Sequence, residues 1–183
     1  MSIESQGKIR LVRILDQATC LRTVRSDRSE DDWQPGKLYA DGGIQEQWSR
    51  SCSIIAETHA AGVLAETFAQ VRAALSPLCL RDGRRIFSLS ALNMIRYRPG
   101  DRFLPHRDAV PGSANWRRHS IVCYLNSDFD GGETYFPNID LIITPRIGFA
   151  LLFPSYFLHE GRGVTSGIKF IINGFFIDPN SSE

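Results

Sequence analysis

No apolar run in this sequence approaches the ~20 residues that a membrane-spanning helix needs, so no span is predicted. The opening MSIESQGKIR has no apolar core between a basic start and a small-residue cleavage site, so no secretory leader is expected. Cysteine is scarce and scattered. Cys20, Cys52, Cys79 and Cys123 form no CxxC pair, which argues against a zinc knuckle or a thioredoxin-like site and points to free thiols in a reducing cytoplasm. Charge of one sign is also missing. The 21 basic and 20 acidic side chains leave a net charge of +1, too little field to gather nucleic acid or an anionic membrane, and neither is expected as a partner. No internal repeat or low-complexity tract is visible.

What is present is enough apolar residue, 43%, for a real core. One domain over residues 1–183 is expected, with an N-terminal support of strand, loop and helix over 1–84 and a β-rich core over 85–178. Lys8 to Asp16 alternates as a first strand. Arg25 to Ser51 is a long polar stretch carrying Trp33 and Trp48, and is expected to act as a lid with substrate contacts. Roughly Ile54 to Leu75 reads as a helix, its stripe formed by Leu64, Phe68, Val71 and Leu75 and its end marked by Pro77. Beyond Arg85 the pattern changes to period two. Phe87 to Tyr97 is followed by short strands at His119–Leu125, Glu133–Phe136, Leu141–Thr144, Phe149–Phe153 and Ile168–Ile177, parted by glycine and proline turns. Many short strands with glycine turns predict a mostly β fold, a sandwich or double-sheet barrel, with helix packed outside.

The stretch YRPGDRFLPHRD places His106 and Asp108 two residues apart, on one side of an extended chain. An imidazole and a carboxylate so placed, with one distant histidine, can hold one face of an octahedral iron(II) and leave the other face open. His159, just past the apolar strand ALLFPSYFL, is preferred as the third ligand over His119, which lies within a strand. Lys169 opens KFIINGFFI, apolar on both faces. A lysine there needs an anionic partner, unless it sits at an open strand end and reaches water. The three glycines between His159 and Lys169 require the chain to turn back, and a hairpin would bring the two into one cavity.

Together these residues resemble the 2-oxoglutarate- and iron(II)-dependent dioxygenases, in the prolyl 4-hydroxylase-like branch. Tyr97-x-x-Gly100 precedes the HxD pair. Gly131-Gly132-Glu133-Thr134-Tyr135-Phe136-Pro137 resembles the branch's GGxTxFP turn, and Pro145 to Phe153 its segment before the distal histidine. The resemblance covers about Leu92 to Ile177. It implies a distorted double-stranded β-helix, a jelly-roll, cupin-like barrel, with His106, Asp108 and His159 as metal ligands and catalytic centre. It implies Lys169, Tyr124 and Thr134 for the distal carboxylate of 2-oxoglutarate, and Tyr97 in the pocket wall. Iron(II), 2-oxoglutarate and O2 would be required, with ascorbate as a reductant. Phe103 stands where many members carry tyrosine. Asp108 favours hydroxylation over halogenation.

For substrate, Trp116, Arg117 and Arg162 lie beside the metal-bearing segments, and Asn173 shares period-two phase with Lys169. With Trp33 and Trp48 they are the candidate substrate contacts. A small amino-acid-like or secondary-metabolite substrate is expected. The alternatives are a peptidyl or protein prolyl hydroxylase and a nucleic-acid demethylase of the same superfamily. Oligomeric state is not legible.

Overall fold

The computed structural model describes residues 8–26, 28–36, 38–40, 43–45, 50–78, 81–82, 85–109 and 116–179. Trp48 lies outside them. In chain order the elements that matter are β1 (Arg10–Arg13), helix α1 (Gln17–Arg25), β2 (Gln34–Pro35), β3 (Ser53–Ala56), helix α2 (Gly62–Leu75), β4 (Asn93–Tyr97), β5 (Phe103–His106), β6 (Arg117–Tyr124), β7 (Thr134–Phe136), β8 (Leu141–Ile143), β9 (Phe149–Pro154), β10 (His159–Gly161) and β11 (Lys169–Ile177). They build two facing sheets. The larger runs β1-β9-β6-β11-β4-β3-β2, with Ser88–Leu89 also paired to β11, and the smaller runs β5-β10-β7-β8. All these pairings are antiparallel. This is the expected distorted double-stranded β-helix. Among the described residues no helix is long and apolar enough to cross a membrane.

Period two sorts the larger sheet into two faces. Met94, Ile121, Cys123, Ala150, Leu152, Ile172 and Phe176 point to the side that α2 covers with Leu64, Phe68, Val71 and Leu75. Each of those four helix side chains is at most 4% exposed, and each is worth about 1.5–3 kcal/mol of transfer free energy. The alternate residues, Ile95, Tyr97, Tyr124, Leu151, Phe153 and Ile171, meet Phe136 of the smaller sheet in a second core. That inner face is where the polar candidates fall. Cross-strand registers Lys169–Tyr97, Ile171–Tyr124 and Asn173–Val122 put Lys169 and Asn173 in phase with the inner core.

Three local readings change. The chain from Ile54 is not one helix. Ser53–Ala56 is a strand, Glu57–His59 a 3-10 turn, and α2 starts only at Gly62. The turn is held by Glu57, which accepts two bonds of 2.5 Å from Arg72 and one of 2.9 Å from the Leu92 amide. α1 follows β1 directly, capped by Asp16, whose Oδ1 accepts from the Thr19 amide at 2.8 Å. Its buried residues are Thr19, Cys20 and Thr23, so it offers no apolar stripe to read. Finally, β10 and β11 do not pair as a hairpin. β10 pairs with β5 and β7, and β11 lies in the opposite sheet, so His159 and Lys169 approach the cavity from facing sheets.

Candidate metal centre and adjoining cleft

β5 ends at His106, and the chain bends so that the Asp108 and Ala109 amides donate to the Ser155 carbonyl at 2.9 and 3.0 Å. That bond ties the HxD segment to the strand end that leads into β10. His106 and His159 are themselves cross-strand partners. The result is a cluster in which one ligand atom from each of His106, Asp108 and His159 lies within 4.8 Å of the others. His106 Nε2 is 3.5 Å from Asp108 Oδ1, and His159 Nε2 is 3.5 Å from Oδ2. Each Nδ1 sits on a carbonyl, that of Leu104 at 2.8 Å and that of Phe157 at 2.9 Å. Nδ1 therefore carries the proton, and the Nε2 lone pairs converge. Ser120 Oγ donates to Asp108 Oδ2 at 2.6 Å and contacts Ser155 Oγ at 2.9 Å. The Phe103 ring stacks on His106 with centroids 3.4 Å apart, and Phe153 meets His159 edge-on at 4.6 Å.

The electrostatics suit a cation. Burial works against the Asp108 carboxylate, but the His106 bond, both imidazoles and Ser120 together hold its pKa well below the usual carboxylate range. Burial lowers His159 to about 4 against the pull of Asp108, so at neutral pH it is an uncharged imidazole with a free lone pair. Two imidazoles held in orientation through Nδ1, and one ionised carboxylate, form a donor set that fits iron(II).

Deeper in, Lys169 is 3% exposed, and its Nζ donates to the Gly132 carbonyl at 2.6 Å. That carbonyl is presented by a turn only glycine tolerates. Gly131 has φ +73°, and a Cβ there would stand 2.2 Å from the Gly163 carbonyl oxygen. Burial lowers the Lys169 amine to about 8, with Glu133 opposing through space. The Tyr97 and Tyr124 rings lie 5.2 and 5.9 Å from Nζ, and Tyr124 Oη is 2.9 Å from Thr134 Oγ1. Lys169, Thr134, Tyr97 and the triad line one chamber of about 60 Å3. It shares Arg50, Phe103, Asp108, Asn173 and Phe175 with an outer cleft of about 810 Å3, whose lining also includes Asp31, Asp32, Gln34 and His59.

Residues 92–177 match the model of the 2OG-Fe(II) oxygenase superfamily. Over that stretch, just under half of its length, the chain is similar to that superfamily. Proteins of that superfamily use iron(II), 2-oxoglutarate and O2, and a triad able to hold the metal, His106, Asp108 and His159, is present here. An Acanthamoeba polyphaga mimivirus protein assigned as a prolyl 4-hydroxylase is 33% identical over 105 residues, covering 46% of this chain and 43% of that protein. The chain thus spans less than half the length of that relative. Among solved structures, a Trichoplax adhaerens prolyl hydroxylase in complex with a peptide fragment of the hypoxia inducible factor oxygen degradation domain matches with TM-score 0.78 and 17% identity, covering 96% of this chain and 88% of that one. A Pseudomonas putida prolyl-4-hydroxylase matches with TM-score 0.67 and 18% identity, covering 94% of each chain. At these identities the likeness speaks for the fold.

The cleft geometry also sorts the substrate candidates. Arg117 and Asn173 line the outer cleft. Trp116 stacks beside Arg117, whose guanidinium lies 5.0 Å from its ring centroid. Arg162 is turned elsewhere, over the Tyr135 ring at 4.4 Å and 3.7 Å from Glu160, and is not part of the cleft wall. Trp33 is not brought to the cleft wall either. Arg96 covers it at 4.3 Å and Phe170 packs beside it, so in the described residues it braces the sheet edge, while its neighbours Asp31, Asp32 and Gln34 reach the cleft. His119 sits near Phe87, away from the triad. Sequence reading missed Arg50, which bridges to Phe103 and lines both cavities. Its signal was available. Arg50, Cys52 and Ile54 alternate, and the latter two pack on the inner core.

Proposed function

We propose that this chain is an iron(II)- and 2-oxoglutarate-dependent dioxygenase that hydroxylates an unactivated C–H bond of a small amino-acid-like substrate. One domain carries the site, with residues 1–84 bracing the core of 85–178. The observation that carries the reading is the meeting of two features in one chamber: a triad of convergent donors, and a buried lysine with no carboxylate in contact among the described residues. His106, Asp108 and His159 would hold the metal. Lys169, helped by Tyr124 and Thr134, would receive the distal carboxylate of 2-oxoglutarate. Bound together, iron, 2-oxoglutarate and O2 supply an oxidant strong enough to take hydrogen from carbon, with succinate and CO2 released.

The protein's own part is arrangement. Ser120 fixes the Asp108 carboxylate and the Ser155 carbonyl its backbone amide, and the Leu104 and Phe157 carbonyls fix both imidazoles. Lys169 supplies a charge that the cosubstrate completes. Phe103, Ile95, Ile171 and Phe175 give the chamber apolar walls that limit water near the metal.

A second reading, hydroxylation of a peptidyl proline, is favoured by the likeness to the peptide-bound Trichoplax enzyme and by the volume of the outer cleft, about 810 Å3. Incubation with iron(II), 2-oxoglutarate and either free amino acids or proline-containing peptides separates the two. The proposed reading expects succinate and a product heavier by one oxygen atom from the amino acids. Product from the peptides alone would favour the second.

A further inference from the structure

Where the inner chamber meets the outer cleft, three buried polar atoms have no hydrogen-bond partner: Arg50 Nε, Arg117 Nε and Asn173 Oδ1. All three side chains line the cleft beside Asp108. Arg50 is 8% exposed and stands 4.8 Å over the Phe103 ring. The groups it faces are Tyr97 and Cys52. Burial pushes the Tyr97 phenol up to about 12 and raises the Cys52 thiol, so at neutral pH both are uncharged and give Arg50 no counter-charge. Arg117 stacks over Phe175 at 4.2 Å, and its one hydrogen bond here is a long 3.4 Å contact to the Asp108 carbonyl. Burial disfavours its charge, Asp108 supports it, and Arg50 opposes it, so the two guanidiniums repel each other across the cleft.

Stacking on aromatic rings explains how such cations are tolerated, but it leaves the Nε–H donors of both unused. By contrast, Arg96 pairs with Glu30 at 2.8 Å and Arg72 with Glu57 at 2.5 Å. Among the described residues neither Arg50 nor Arg117 is in a salt bridge, and two such guanidiniums beside a reaction centre are an arrangement that an incoming anion completes. The fork geometry of arginine selects a carboxylate. Asn173 Oδ1 needs a donor, and an α-amino group next to that carboxylate provides one. An internal peptide segment brings no charge to this point and would leave the repulsion in place.

We propose that the cleft receives a free α-amino acid, its carboxylate held by Arg50 and Arg117 and its amino N–H donated to Asn173 Oδ1. This rests on the dioxygenase reading and narrows its substrate. The test uses the 183-residue protein loaded with iron(II) and 2-oxoglutarate under nitrogen, so that no turnover occurs. The twenty free L-amino acids and their primary carboxamides are added singly and followed by thermal melting and by the visible charge-transfer band of the iron–2-oxoglutarate pair. At least one free amino acid should raise Tm and shift the band, and its carboxamide should bind at least about tenfold more weakly. R50Q should weaken binding of that amino acid about tenfold or more, with partial rescue in R50K. R117Q is the second variant if circular dichroism shows that R50Q does not fold. Binding by no amino acid, equal binding by acid and carboxamide, or unchanged affinity in both variants overturns the proposal. Absence of the band before any amino acid is added instead marks failure of the dioxygenase reading itself, and takes this proposal with it.

Discussion

Removing the Lys169 amine, as in K169A, tests the cosubstrate site most sharply. The amine is buried, donates to the Gly132 carbonyl, and among the described residues is in contact with no carboxylate, Glu133 acting on it only through space. A charge-assisted bond to a carboxylate is worth about 1.5–3 kcal/mol, so K169A should raise the dissociation constant for 2-oxoglutarate by roughly 10- to 150-fold. The pH dependence is a second signature. With its pKa lowered to about 8, the amine is largely protonated at pH 7 and largely neutral at pH 9. Only the ammonium pairs with the cosubstrate, so binding takes up a proton above pH 8, and affinity there falls about tenfold per pH unit. The stability sign is the opposite. Between about 8 and the ordinary lysine value of 10.5 the unfolded chain binds more protons than the folded one. The ligand-free protein therefore gains up to about 3 kcal/mol from this group as pH rises through that window. The assay is anaerobic calorimetry of 2-oxoglutarate against the metal-loaded protein at pH 7, 8 and 9, in buffers of different ionisation enthalpy. Unchanged affinity in K169A, or no proton uptake at pH 9 in the native protein, would refute the assignment.

Other outcomes follow from the same geometry. H106A and H159A should each lose stoichiometric iron(II), read by equilibrium dialysis with metal analysis, whereas H119A should keep it. S120A removes the 2.6 Å bond that orients Asp108 and should weaken iron(II) binding about 10- to 100-fold without unfolding the protein, as checked by circular dichroism. F68A empties a fully buried site between α2 and the larger sheet and should destabilise the protein by about 3–5 kcal/mol in urea unfolding, with the metal site intact once folded.

Much of the site could be read in advance because its residues sit on regular strands. Period two fixes which way Lys169, Asn173 and Tyr124 point once the apolar phase of each strand is known, and the glycine turns mark where strands end. The HxD pair was legible for a different reason, since its spacing is itself the geometry. What escaped depended on long-range packing. The strand Ser53–Ala56 was absorbed into the helix that follows because Ile54 and Ile55 fit either pattern, and with it went the phase that turns Arg50 inward. α1 was missed because Thr19, Cys20 and Thr23 form its buried side, and hydroxyls bonded to each other and to backbone, such as Thr23 to Thr67 at 2.6 Å, do not look like a core in one dimension. The supposed His159–Lys169 hairpin failed because the glycine-rich segment between them crosses from one sheet to the other, which local turn signals do not encode.

The central claim is that His106, Asp108 and His159 hold an iron(II) that consumes 2-oxoglutarate and O2. Its most direct test is succinate formation by the native protein and by H159A, each assayed with iron(II), with and without O2, alongside measured iron content. The native protein should bind one iron(II) per chain and form succinate only when iron(II) and O2 are both present, and H159A should do neither. Succinate formation by H159A at the native rate, or none by a native protein carrying one iron(II) per chain, would contradict the account.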